Sequence, residues 1–265
     1  MVAPTFIRSG QNPVLRRLRE LRDDPVSERL WLEGRRLIDE AWRSGLTLEM
    51  LVATPEAIGS LSEIQQARAR RVILVSAAAF KALSDLETPQ GLLAVARRPA
   101  ASWDELLAKA PAPVVILDGL QDPGNAAAIA RTAEASGAAG LVTTPGTARL
   151  FSPKALRGAM GSTLRLPCLE HQSIENLAVR LRKAGYGLLG AQGKGDGPLY
   201  TKVDWTRAWG IVLGQEGQGL SAAWRPFLTQ AVAIPMKQPV ESLNVAAAAA
   251  VLLYESARRR VPEED

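Results

Sequence analysis

The chain has 265 residues, 47% hydrophobic and 22% charged, with one cysteine; the length exceeds the ~150 residues of an ordinary domain and the balance is too apolar for disorder, so two folded domains are expected and a disulfide-stapled miniprotein is excluded. A net charge of +5 favours a polyanionic partner,. The longest apolar run, Val245 to Tyr254, is about half of the ~20 residues that cross a bilayer; Met1 to Pro13 lacks a leader-like pattern and Cys168 cannot form an internal disulfide, so a cytoplasmic protein without a membrane segment is expected.

In chain order, the first regular pattern is a helix beginning after Pro13. Between Arg8 and Arg22 five arginines (Arg8, Arg16, Arg17, Arg19, Arg22) stand against one acid, Glu20. Such a stretch suits contact with phosphates and equally suits a solvated helix surface. A second helix is expected over Arg29 to Ser44, with Leu30, Leu37, Ile38 and Ala41 on one side and Gly45 at its end. Strands follow at 49–53, 71–75 and 91–96, the last after the turn residues Thr88-Pro89-Gln90. These elements make a small α/β domain over 1–98, and Pro99, Pro111 and Pro113 mark a linker over 99–112 that carries a short helical stretch near Trp103.

Over 113–265 strand and helix patterns alternate, as in a parallel sheet covered by helices. Strands are expected at 114–117, 140–143, 164–167, 187–190, 211–213 and 231–234. Helices are expected to begin near Asn125, Pro153, Ile174 and Leu220, and a last one runs from Ser242 to Arg260, its alanines packed on all sides.

Four stretches of this half invite chemistry. Gly185-Tyr-Gly-Leu-Leu-Gly190 has the dinucleotide-binding spacing, but it follows a helix and opens a strand, the reverse of what an oxidoreductase cofactor site requires. In Leu117-Asp-Gly-Leu-Gln-Asp-Pro-Gly-Asn-Ala-Ala-Ala-Ile-Ala-Arg131 a strand passes through a polar turn into a helix that Asn125 is expected to cap; Arg131, six positions on, lies on a different helix face. Ile211-Val-Leu-Gly-Gln-Glu-Gly-Gln-Gly-Leu-Ser221 runs an apolar strand into three glycines around Glu216, at the strand edge where open α/β sheets bind ligands. Ile234-Pro-Met-Lys-Gln-Pro-Val-Glu-Ser-Leu-Asn-Val245 leaves a strand and enters the last helix at Ser242, with Asn244 in its first turn. The lone His171 beside Cys168 and Glu170 is not a zinc pattern. Serine-hydrolase and phosphate-loop signatures are missing.

Taken together and in this order, the last three stretches resemble the motifs of the SpoU (TrmH-like) family of RNA ribose 2′-O-methyltransferases, in the SPOUT class, over roughly Val114 to Arg260. Asn12-Pro-Val-Leu-Arg-Arg-Leu-Arg, Leu32-Glu-Gly-Arg-Arg-Leu and Ser84-Asp-Leu-Glu-Thr-Pro-Gln-Gly-Leu-Leu-Ala-Val95 are similar to that family's N-terminal substrate-binding domain. The resemblance implies a trefoil-knotted C-terminal domain, S-adenosylmethionine as cofactor without a metal, rRNA or tRNA as substrate, and a homodimer with active sites near its interface. It places Asn125, Arg131, Glu216, Ser242 and Asn244 at catalytic positions. The methyl donor would lie against Gly214, Gly217, Ile234, Met236 and Leu243. Arg16, Arg17, Arg19, Arg35 and Arg36 would contact RNA. Ala127, Gln238 and Ala246 depart from the family pattern, and Gln238 would put a bulky side chain into the cofactor loop. The rival reading is a catalytically inactive RNA-binding homologue acting in ribosome assembly.

Overall fold

A computed structural model of the chain describes residues 5–24, 27–192, 197–215 and 217–260. They fall into two compact units, one built from the chain up to Pro99 together with Phe151–Leu164, the other from Ala100–Leu150 and from Arg165 onward.

The first unit runs β1 (Thr5–Ile7), α1 (Pro13–Asp23), β2 (Arg29–Glu33), α2 (Arg35–Arg43), β3 (Leu48–Ala53), α3 (Pro55–Ile58), α4 (Glu63–Ala67), β4 (Val72–Val75), α5 (Ala77–Lys81) and β5 (Leu92–Arg97). Its sheet has the order β1-β4-β3-β5-β2. β5 runs antiparallel to both neighbours, and β1, β4 and β3 are parallel. Period-two alternation divides each strand between two cores. Leu30, Leu32, Leu92 and Ala94 join Leu37, Ile38 and Trp42 of α2 on one face; Trp31, Leu93 and Val95 join Leu15 and Leu18 of α1 and Phe80 of α5 on the other. Asn12 caps α1 by accepting from the Val14 N–H at 2.9 Å, and Pro13 fits the first helical position because the N–H it lacks would have no helical partner there.

The chain continues through α6 (Trp103–Leu107), β6 (Val114–Leu117), α7 (Pro123–Ala135), β7 (Gly140–Thr143), α8 (Pro153–Ala159), α9 (Ser162–Arg165), β8 (Cys168–Leu169), α10 (Ile174–Lys183), β9 (Gly187–Gln192), β10 (Trp209–Leu213), β11 (Gln230–Ala233) and α11 (Val245–Arg260). Leu156 and Leu164 are buried in the first unit's α2-side core. The second unit is organised around a six-stranded, wholly parallel sheet of order β11-β9-β10-β6-β7-β8. From β6 the chain steps outward through β7 to β8, then crosses back to build β9, β10 and β11 on the other side. The order therefore reverses between β6 and β10, where the carboxyl ends of parallel strands form a crevice. Against this sheet α11 packs along α7, and Arg260 at its end donates to the Ser136 and Gly137 carbonyls just past α7, at 3.2 and 3.5 Å.

Several sequence expectations are corrected. Arg29–Glu33 is strand, not helix: residues 30–33 are all buried, as a strand covered on both faces requires, and Gly34 at φ +93° breaks the chain before α2. Leu164 ends in α9 and the strand begins only at Cys168, because Pro167 has no N–H for the ladder and offers β7 only its carbonyl, to Leu141 N at 2.9 Å,. The helix expected near Leu220 is a single 3-10 turn, Ala222–Trp224, cut short by Pro226. The last helix starts at Val245 rather than Ser242, and its alanines are not packed all round, since Ala247 is exposed. The Gly185–Gly190 spacing joins the end of α10 to β9 as expected; a Cβ at Gly187 would meet the Trp209 ring at 2.5 Å, so that glycine serves packing.

Candidate active site

A pocket of about 760 Å³ opens at the carboxyl ends of β9, β10 and β11, within the size range of small-molecule sites. One wall is the turn after β10, Gly214 to Ser221; the other is the segment after β11 with the start of α11, including Ile234, Met236, Ser242, Leu243, Asn244 and Val245. The turn is closed by paired bonds: Gln215 N donates to Gly219 O at 3.0 Å and Gly219 N to Gln215 O at 2.9 Å. Gly214 has no room for a side chain, because a Cβ there would lie 2.2 Å from the Gly219 carbonyl oxygen. Gly217 and Gly219 take φ of +79° and +72°, a region that glycine enters without steric cost.

The expected donor residues Gly214, Gly217, Ile234, Met236 and Leu243 therefore line one cavity, together with Ser242 and Asn244. Asn125 joins them at one remove: Asn244 Nδ2 donates to Asn125 Oδ1 at 3.1 Å. The two helix starts differ from the sequence expectation. Asp122 caps α7, accepting from Gly124 N at 3.2 Å and Asn125 N at 3.1 Å, since Pro123 takes the first helical position. Asn244 caps α11, accepting from Ala246 N at 2.9 Å, and Ser242 lies before the helix as an exposed wall residue. Arg131 is exposed on α7 and does not line the pocket of its own chain. Glu216 lies outside the described residues. Gln238 is exposed and away from the pocket wall, so its bulk does not occupy the cavity.

Sequence reasoning passed over Asp118, the first residue after β6, which is 5% exposed. Its Oδ1 accepts from Thr144 Oγ1 at 2.9 Å and its Oδ2 from Ser221 N at 3.0 Å. Thr144 and Thr147 hydroxyls also receive the Gly119 N–H, at 3.2 and 3.0 Å. An acid placed directly after an apolar strand was the available signal. Trp224, fully buried, and Arg225 also line the pocket, and no motif in the sequence marks them.

In the first unit, Arg16, Arg17 and Arg36 are exposed. Arg16 is 3.9 Å from Glu20, and Arg19 donates to Gly10 O at 3.1 Å. Arg35 is engaged internally, bonding Asp39 at 2.9 and 3.0 Å and the Ser60 carbonyl at 3.0 Å. Arg22, also in the basic stretch, is locked to Asp23, Asp85 and the Leu83 carbonyl; the bond from its guanidinium to Asp23, against the opposing pull of burial, raises its already high pKa. Among the described residues no group of three or more His, Cys, Asp or Glu side chains is placed to hold a metal. No described helix is long and apolar enough to cross a membrane.

Fold and site together define a class: a parallel-sheet α/β domain with a pocket at the carboxyl ends of its strands, joined to a smaller mixed α/β unit. The chain belongs to the SpoU rRNA Methylase family, which it matches over residues 112–254, and residues 13–94 match the MRM3-like substrate binding domain. It is 33% identical over 263 residues to an uncharacterized tRNA/rRNA methyltransferase of Synechocystis, covering 96% of this chain and 94% of the relative. It is 34% identical over 224 residues to the 23S rRNA (guanosine(2553)-2'-O)-methyltransferase RlmP of Bacillus subtilis, covering 84% and 86%. The SpoU methyltransferase AviRb from Streptomyces viridochromogenes, solved in complex with AdoMet, superposes with a TM-score of 0.80 at 28% identity, covering 94% of this chain and 99% of that one.

Proposed function

We propose that this chain is an S-adenosylmethionine-dependent RNA methyltransferase that methylates a ribose 2′-hydroxyl of rRNA or tRNA. The observation that carries the reading is the pocket between the Gly214–Ser221 turn and the 234–245 segment, a turn that closes on itself only because residue 214 is glycine. The residues present suit the donor. Turn backbone and the apolar walls of Leu213, Ile234, Leu243 and Val245 would hold its adenosyl part, and the neighbouring amide side chains meet at Asn244–Asn125. When bound, S-adenosylmethionine supplies an electrophilic methyl group on a sulfonium.

The chain's own task is to bring a ribose hydroxyl into line with that methyl and to manage the hydroxyl proton. A guanidinium stays protonated in proteins, so Arg131 serves as an anchor for the RNA phosphate beside the reacting sugar. Its exposed place on α7, off its own pocket, supports a homodimer in which the partner's Arg131 completes the site. Val240, Leu243 and Tyr254, 51%, 38% and 54% exposed, offer apolar surface for that contact. We extend the reading to a trefoil knot formed by the chain after β10 and β11, and to a cytoplasmic location. The experiment is methyl transfer from labelled donor to RNA: an RNA with one 2′-deoxy sugar at the target nucleotide should bind and accept no methyl group, while methylation of that RNA would make a base atom the acceptor.

A further inference from the structure

We propose that Asp118 is a positioning residue that holds the donor-binding turn by both ends, an inference that rests on the pocket being the S-adenosylmethionine site. Its backbone N–H donates to the Leu213 carbonyl at 2.9 Å, where the chain enters the turn. Its carboxylate accepts the Ser221 N–H at 3.0 Å, where the chain leaves it. One residue thus clasps entry and exit, and the Gln215–Gly219 pair closes the middle.

The clasp is itself oriented. Thr144, the first residue after β7, donates to the other carboxylate oxygen at 2.9 Å, and Thr147 ties the same corner by donating to the Leu117 carbonyl at 3.0 Å. Among the described residues the donors that reach the Asp118 side chain are one hydroxyl and one backbone N–H, from two different strand ends. A short acceptor that offers no proton of its own suits two donors arriving from different strands. Four residues further on, Asp122 caps α7 and sets the backbone of Asn125. Asp118 therefore joins the donor turn to the segment that carries Asn125 and Arg131, and it ties the ends of a turn whose middle is closed by the Gln215–Gly219 pair.

Calorimetric titration of full-length protein with S-adenosylmethionine, well below each variant's melting temperature, tests this. Asp118→Ala should weaken donor binding about ten- to a hundredfold, the equivalent of one buried hydrogen bond to a charged group. Asp118→Asn, whose amide can still accept from Ser221 and donate to Thr144, should stay within about threefold of the parent. Ser221→Pro removes the N–H and leaves the carboxylate; Ser221 has φ −55°, which proline accepts. It should weaken binding as Asp118→Ala does, and the double variant should be no weaker than either single one. A variant that melts earlier yet binds the donor like the parent, or two effects that simply add, would overturn the proposal. Should Asp118→Ala not fold, parent-like binding by folded Ser221→Pro would overturn it equally. Failure of the unsubstituted protein to bind the donor would instead remove the donor reading.

Discussion

In the proposed reaction Gly214 and Arg131 would act in opposite ways, one through the close backbone contact it permits and the other through the charge it presents. A methyl at position 214 would collide with a backbone oxygen of the same turn, which cannot move without opening the Gln215–Gly219 pair. Gly214→Ala should therefore lower donor affinity about tenfold or more, the effect of about 1–3 kcal/mol of forced displacement, in equilibrium titrations with S-adenosylmethionine. Arg131 stands away from its own chain's pocket, so its loss should be felt in the acceptor step. Arg131→Ala should cut turnover by about 10²-fold, the cost of a misplaced acceptor, while donor affinity stays within a few fold in the same titration. Near-normal turnover would remove Arg131 from the mechanism.

Elements decide how these residues meet. α7 starts one residue after Asp122 because Pro123 fills its first position, and that shift releases the Asn125 side chain from capping to accept from Asn244 on the incoming α11. The far ends of the two helices are fixed near Tyr186, whose O–H donates to the Ala112 carbonyl at 3.1 Å. Burial raises the Tyr186 phenol pKa, only partly offset by Arg260. A folded pKa above the unfolded value means that the stabilisation is complete below the unfolded pKa of about 10 and is lost as pH rises through the folded one. Tyr186→Phe should cost about 1 kcal/mol near neutrality and should flatten the alkaline limb of a melting-temperature profile relative to the parent; an unchanged alkaline limb would show that Tyr186 does not set it.

For the whole molecule, the formal charge of +5 matters only where cations are available. Arg16, Arg17 and Arg36 are exposed, whereas Arg35 is spent on Asp39 and Ser60. Replacing those three exposed arginines by alanine should weaken RNA binding and lower the dependence of log K on log salt by about 0.7–0.9 for each phosphate that is no longer neutralised, with donor affinity unchanged. An unaltered salt slope would place the RNA-reading face elsewhere. Light scattering should give about twice the 28.4 kDa chain mass; a monomer at micromolar concentration would sink the shared active site.

Most of the strands in the second half and the glycine turn after β10 could be read from the chain because each follows from local chemistry. A buried parallel strand is an apolar run, and a tight turn is built of glycine. Arg29–Glu33 could not be read correctly, since a strand buried on both faces has no period of its own until the two cores on either side exist. The cap of α7 turned on one proline, and the short strand at Cys168 on another. Only tertiary structure decided that Asp118 spans from β6 to Ser221, 103 residues away in sequence, because neighbouring strands of a parallel sheet are distant in the chain and their edge contacts leave no spacing to count. Composition alone likewise counts Arg35 and Arg36 as equal cations; folding neutralises one against Asp39 and leaves the other in solvent.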